Sequence, residues 1–338
     1  MKALLYSDWE RLETTDVPKP EPAEGEALIR VEACGLCGSE VECVQTRSPR
    51  RTPPLILGHE FTGVVEAVGA GAARFKPGDA VVANSVIPCG ACAPCARGDT
   101  FLCRDRGLFG MTRPGACAEF VCAPEAVLLP RPEGMDPACA ALAEPAANAV
   151  HVMRLLPGQP KASVFVFGAG MIGLLVAQAA KAMLGARVGV ADLDPGRLEY
   201  AVELGADVAV NASEEDAARA AVEFSGADGV DYAVDAAGAA ITKKQAVACV
   251  RPGGAVCWLG LGQDEMDFSS FSVTLPQKIV TGSYSATQEE FAQAVALLRD
   301  GSLRGGRAAA RFSLDDAAKG FERMGDPESD VVKAIVTM

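Results

Sequence analysis

Residues 164–167 form a short apolar run, residues 174–184 an alanine- and leucine-rich stretch, and between them stands Gly168-Ala169-Gly170-Met171-Ile172-Gly173. A glycine triplet alone says little. At a strand-to-helix turn, however, such glycines let the backbone approach a pyrophosphate and place that anion at a helix N-terminus. The surrounding pattern supplies that context. From about Lys161 onward, strands at 162–167, 187–191, 208–211, 232–235 and 256–261 alternate with helices at 173–184, 197–204 and 216–224. This alternation is the signature of a parallel sheet with helical crossovers, and six such strands would complete a doubly wound, Rossmann-type sheet.

Asp192 ends the second of these strands, nineteen residues after Gly173. A carboxylate there accepts hydrogen bonds from the adenosine ribose hydroxyls and repels the 2′-phosphate of NADP, so the expected cofactor is NAD. Asp194 takes that role if the strand runs further, and Arg197 nearby would tolerate NADP.

A chain of 338 residues is longer than one core usually grows, which predicts two domains. The residues before the nucleotide-binding pattern are rich in Gly and Pro and carry short β-like runs such as 27–33 and 80–83, so this part reads as a mostly β domain. After Ser283, helices at 289–298 and 315–324 and a strand at 331–336 are too little for a third domain and are expected to rejoin the first. Ten of the twelve cysteines lie in the β part. A net charge of −13 without a dense Lys/Arg run argues against nucleic acid. Neither a secretory leader nor an apolar run of roughly 20 residues is read, so the chain is expected in the cytoplasm, where cysteines favour metal ligation or packing over disulfides.

Cys89, Cys92 and Cys95 at even spacing, with Cys103 eight residues on, would wrap a loop around one tetrahedral Zn²⁺. Pro88, Gly90, Pro94 and Gly98 make this an exposed segment without a core of its own. Four thiols also suit an iron–sulfur cluster, and context decides between the two. That context includes Cys34-Gly-Leu-Cys37-Gly-Ser39-Glu40, Gly58-His59-Glu60 and Ala143-Glu144-Pro145. One Cys, one His and one carboxylate from separate segments would make an open zinc site.

In this order and combination the motifs closely resemble the zinc-containing medium-chain alcohol dehydrogenases, within them the polyol branch typified by sorbitol and galactitol-phosphate dehydrogenases, over essentially the whole chain. The resemblance implies a GroES-like, mostly β catalytic domain over 1–147, completed by 284–338, and a Rossmann domain over 148–283. It implies two zinc ions per chain: a structural one on Cys89, Cys92, Cys95 and Cys103, and a catalytic one on Cys37, His59 and Glu144, with Glu60 able to exchange with Glu144. Cys34 and His151 become packing residues.

Ser39 would take the substrate proton. Glu40 replaces the usual aspartate behind the histidine ligand, and Glu42 stands where relatives have a relay histidine, so Glu42 or water would carry the proton away. Ala237, Gly238, Gly260, Leu261 and Ser283 would face the nicotinamide half of the cofactor. Phe109, Thr112 and Cys43 would line the substrate pocket, the small Cys43 making it roomier. Arg47, Arg50 and Arg51 are either solvated or bind a phosphate or carboxylate of the substrate.

The expected function is NAD-linked oxidation of a secondary alcohol of a polyol or sugar alcohol to the ketone, by a homodimer or homotetramer with no membrane partner. The alternatives are another hydroxyl substrate (threonine, a butanediol or an aminocyclitol) or a non-catalytic nicotinamide-binding redox sensor.

Overall fold

The computed structural model describes residues 1–326 and 329–338. The chain divides into two compact units, Met1–Ala147 with Ala286–Arg299 and Ala309–Met338, and Asn148–Ser285 with Asp300–Ala308.

The first unit is built on a seven-stranded sheet. Its strands run in the order Leu128–Pro130, Ala80–Ala83, Glu60–Val68, Glu26–Gly35, Lys333–Thr337, Ala309–Ser313, and Phe120–Pro124 pairs separately with Glu26–Gly35. Side chains such as Ile29, Val31, Phe61, Val65, Val81, Leu128 and Val336 meet in one buried cluster, which supplies most of the driving force for this unit. One end of the sheet matters for chemistry. Gly35, the last residue of its strand, pairs with Glu60 on one side and with Ile335 on the other. A Cβ on Gly35 would lie 2.3 Å from the Glu60 carboxylate and 3.2 Å from the Lys333 side chain, so only glycine lets these two side chains cross the strand there. Two residues later comes Cys37.

The second unit holds a six-stranded, all-parallel sheet. Its order is Val208–Asn211, Arg187–Asp192, Ser163–Phe167, Val230–Asp235, Val250–Trp258, Ile279–Gly282, that is third, second, first, fourth, fifth, sixth along the chain. This is the Rossmann arrangement, with the order reversing at Ser163–Phe167. The first helix begins at Met171, just inside the glycine turn, and the next begins at Pro195, because Asp194 caps it through Gly196 N at 2.8 Å and proline suits the first helical position. The helices Ala143–Leu155 and Phe271–Thr274 and two further elements were not read from sequence. Ala240–Cys249 is a helix whose polar residues Thr242, Lys243, Lys244 and Gln245 fall in one run, hiding the 3.6-residue period, and Ile279–Gly282 is a four-residue edge strand too short to alternate.

The tail is divided. The helix Gln288–Arg299 and the two closing strands lie in the first unit, whereas 300–308 goes with the second, tied by Gln178 Nε2 to Arg304 O (3.1 Å), Arg304 N to Gln178 Oε1 (3.0 Å) and Arg307 to Glu203 (2.7 Å). No described helix is long and apolar enough to cross a membrane.

One buried carboxylate stitches the first unit. Glu125 accepts backbone N–H bonds from Ala73 (2.8 Å), Arg74 (3.0 and 3.1 Å) and Phe75 (3.0 Å). Burial pushes its pKa up, but these amides and the Arg74 charge outweigh burial and hold it below the ordinary glutamate value. A lowered pKa means that the contribution to stability is complete above about pH 4.3 and is lost as pH falls through the folded value. Glu125→Gln is expected to lower the unfolding free energy at pH 7 by about 2 kcal/mol, measured by urea denaturation, with the gap to wild type shrinking in acid.

Candidate active site

In the first unit, Cys37 is the N-cap of the helix Gly38–Gln45, and His59 and Glu60 open the strand Glu60–Val68. The ligand atoms of Cys37, His59 and Glu60 lie within 4.8 Å of one another. Gly58 makes the approach possible. Its φ is +99°, and a Cβ would fall 2.5 Å from Cys34 Sγ and 2.6 Å from the Cys117 amide nitrogen. Cys34 is buried in the core cluster of this unit, as a packing residue should be.

Glu40 organises the ligands from behind. One carboxylate oxygen accepts from Gly58 N (2.8 Å) and lies 3.0 Å from His59 Nδ1, and the other accepts from Cys37 N at 3.0 Å. The side chain one methylene longer than aspartate therefore spans two ligand-bearing segments and leaves His59 Nε2 for another partner. Burial pushes Glu40 up, but the charges of His59 and Arg51 and the Cys37 amide bring its pKa down to about 2. Burial likewise opposes a charge on His59, yet Glu40 and Cys37 outweigh it and hold that pKa well above the ordinary value. Such a field favours a cation at the imidazole, whether proton or metal.

Lys333 was not anticipated. It is buried, and its Nζ lies 2.5 Å from both carboxylate oxygens of Glu60. It donates to Oε1, while Oε2 is paired with it by charge and has no hydrogen bond among the described residues. A lone lysine inside the apolar run 331–336 was the signal available in the sequence. Glu144 stands outside the trio of mutually close ligand atoms. Its Oε1 accepts from Ser85 Oγ at 2.7 Å, and although burial raises its pKa first, His59, Glu60 and Lys333 all act on it through space. In this geometry the carboxylate grouped with Cys37 and His59 is Glu60, the one expected to exchange with Glu144.

Several expected pocket and relay residues are placed otherwise. Glu42 is partly exposed and pairs with Arg50 at 3.1 Å. Arg47 pairs with Glu10 at 2.5 Å. Arg51 is neither solvated nor free: it is buried and hydrogen-bonded to Gly110, Ser39 and Cys43. Cys43 leaves no extra room, because its sulfur accepts from Arg51 at 3.2 Å. Phe109 is fully buried, edge-on to Phe61 with ring centroids 5.0 Å apart, and Thr112 Oγ1 accepts from Leu108 N at 2.8 Å. Both serve the packing of the segment at 107–113 rather than an open pocket wall.

The second cluster is the four-cysteine lobe. The sulfurs of Cys89, Cys92, Cys95 and Cys103 lie within 4.8 Å of one another, with Cys92 and Cys95 3.4 Å apart and Cys89 N donating to Cys103 Sγ at 3.3 Å. The Cys95 backbone amide, ahead of the other contacts, lowers the Cys92 thiol to about 6. Four convergent soft donors fit a tetrahedral zinc.

In the second unit, Gly170 is the N-cap of Met171–Leu184, and a Cβ there would meet nothing within 4 Å. Gly173 has no such freedom: its Cβ would sit 1.8 Å from Gly168 O. The turn is thus open where a pyrophosphate would approach and tight where helix meets strand. Asp192 Oδ2 accepts from Ala169 N at 2.6 Å and Oδ1 from Asp194 N at 3.0 Å, which sets the carboxylate beside the glycine turn. Asp194 is committed to capping its helix, and Arg197 lies 3.5 Å from it. The 237–238 and 260–262 loops press together, since a Cβ on Gly260 would meet Gly238 N at 2.1 Å. Ser283 presents a buried hydroxyl oxygen with no hydrogen bond among the described residues.

A GroES-like β unit bearing a Cys–His–carboxylate cluster and a four-thiol lobe, joined to a Rossmann unit, defines a zinc-type dehydrogenase. Residues 23–133 match the alcohol dehydrogenase GroES-like domain and residues 172–300 the zinc-binding dehydrogenase family. L-threonine 3-dehydrogenase of Rhizobium etli (strain CIAT 652) is 32% identical over 331 residues, covering 96% of this chain and 95% of that protein. L-galactonate-5-dehydrogenase of Escherichia coli K12 is 32% identical over 320 residues, covering 94% and 93%. A Sinorhizobium meliloti 1021 crystal structure bound to NADP superposes with a TM-score of 0.92 at 30% identity, covering 100% of this chain and 99% of that one. The chain belongs to the zinc-containing medium-chain alcohol dehydrogenase family, and is an oxidoreductase acting on CH–OH groups.

Proposed function

We propose that this chain oxidises a secondary alcohol of a polyol, sugar acid or related hydroxy compound to the ketone, with NAD as acceptor and two zinc ions per chain. The convergence of Cys37, His59 and Glu60, with Glu40 behind the imidazole, carries the reading. Zinc held by Cys37, His59 and a carboxylate would supply a Lewis acid toward the hydroxyl, and NAD held by the glycine turn would supply the hydride acceptor. Cys37 and His59 are the constant ligands, and Glu60 and Glu144 are the two carboxylates available to complete the set. Ser39, whose Oγ lies 3.3 Å from Cys37 Sγ, takes the substrate proton. Glu42 has no part in its onward path, which runs to water or to the cofactor.

Gly168, Gly170, Met171, Ile172 and Gly173 hold the pyrophosphate, Asp192 the adenosine ribose, and Ala237, Gly238, Gly260, Leu261 and Ser283 the nicotinamide half. The carboxylate beside the glycine turn supports NAD even though a relative was crystallised with NADP. Asp192→Ala is expected to raise the ratio of kcat/KM for NADP over NAD by roughly tenfold or more, each tenfold being 1.4 kcal/mol of relieved repulsion or lost ribose bonding. An unchanged ratio would remove Asp192 from the discrimination.

The two named relatives act on threonine and on galactonate, both hydroxy compounds carrying a carboxylate, so the substrate panel should include sugar acids and hydroxyamino acids beside neutral polyols and butanediol. Formation of reduced nicotinamide across that panel tests the reading; no turnover with any secondary alcohol would overturn it. A cytoplasmic homo-oligomer is the accompanying proposal. Phe271 (70% exposed) and Leu275 (78%) near the unpaired edge strand Ile279–Gly282 support association through that edge.

A further inference from the structure

Arg51 is only 2% exposed, yet its hydrogen bonds all end on neutral acceptors. Nε donates to Gly110 O at 2.9 Å, one terminal nitrogen to Ser39 O at 3.1 Å and to Cys43 Sγ at 3.2 Å, and the other to Ser39 Oγ at 3.4 Å. The buried Glu40 carboxylate offsets its charge through space without bonding to it, so the hydrogen bonds of Arg51 are free to hold neighbouring groups in place. The groups it meets are informative. Two of its contacts are on one residue, Ser39, gripping both its carbonyl and its hydroxyl, and a third is on Cys43, one turn further along the same helix. The hydroxyl in turn donates to Cys37 Sγ at 3.3 Å. Among the described residues Arg51 and Cys37 are the only side chains hydrogen-bonded to Ser39 Oγ, since Glu42 is turned to Arg50.

We propose that Arg51 is a positioning residue for the dehydrogenation: its guanidinium occupies a lone pair of Ser39 Oγ and so aims the Ser39 hydroxyl at the ligand sphere of Cys37. A guanidinium stays charged at all working pH values and cannot accept a proton, so Arg51 orients Ser39 without passing the proton on. The inference rests on the reading that Ser39 handles the substrate proton. It assigns to a residue eight positions before His59 a role that neither Glu42 nor any other charged group fills.

A double-mutant cycle on the zinc-loaded enzyme tests it, using Ser39→Ala, Arg51→Met and the double variant, with Arg51→Lys as the conservative change. Arg51→Met is expected to keep two zinc per chain by metal analysis and an unchanged KM for the nicotinamide cofactor, while kcat falls roughly tenfold or more. Arg51→Lys should recover part of that loss. In the Ser39→Ala background Arg51→Met should cost nothing further. An equal loss in both backgrounds, or loss of zinc from Arg51→Met, would overturn the proposal by showing that Arg51 merely supports the scaffold. If Arg51→Met does not fold, Arg51→Lys runs the same cycle under the same criteria. Wild-type turnover in Ser39→Ala would instead remove the underlying reading of Ser39, and the inference with it.

Discussion

Replacing Cys37 with alanine is expected to lower turnover by about 10²–10⁴-fold, because a Lewis acid is worth several kcal/mol of transition-state stabilisation and each 1.4 kcal/mol is a factor of ten. The loss should be chemical rather than structural. Cys37 caps the helix Gly38–Gln45, and the hydrogen bond from Cys37 N to Glu40 at 3.0 Å, one of the two in its capping box, does not use the sulfur. Thermal unfolding within a few degrees of wild type, together with lost formation of reduced nicotinamide, is the predicted pair of results. Full turnover in this variant would show that the sulfur holds no reacting metal.

Cys103→Ala should act in the opposite way. The lobe contains a four-residue helix, Ala93–Ala96, and a single 3₁₀ turn, Thr100–Leu102, neither of which buries a residue. With no apolar core, its order must come from the metal, and apparent binding energies for structural zinc in peptides are about 10–16 kcal/mol. Removing Cys103, the one buried thiol of the four, is expected to release that zinc and to open 89–103 to limited proteolysis. Cofactor binding by the glycine turn should persist, since it lies in the other unit. Protease resistance equal to wild type would mean that the lobe is held by something other than metal.

The sequence spoke most clearly where spacing and chemistry coincide. The four thiols at 89–103 and the glycines at 168–173 are local constellations, and their geometry follows from a few residues of backbone. The ligands Cys37, His59 and Glu60 come from nearby segments, and the register that pairs Gly35 with Glu60 brings them together. What escaped was partnership across long separations. Lys333 reaches Glu60 over 273 residues, and only the pairing of the closing strand beside Glu26–Gly35 puts it there. Arg51 could be seen as a cation but not as a buried one, because burial is a property of the helix Gly38–Gln45 assembled against the loop at 107–113. For the same reason Cys43 looked like a vacant corner, whereas the Arg51 head fills it. Phe109 was placed in a pocket by position alone, and its edge-on contact with Phe61 puts it in the core. In the second unit the missing sixth strand was short and the missing helix Ala240–Cys249 lacked period, so neither left a pattern to read.

The most direct test of the account is the number of zinc ions per chain, measured in parallel on wild type, Cys37→Ala and Cys103→Ala. Two separate sites predict two ions in the wild type and one in each variant, with turnover surviving only where Cys37 is intact. One ion in the wild type, two retained in Cys37→Ala, or iron in place of zinc would contradict it.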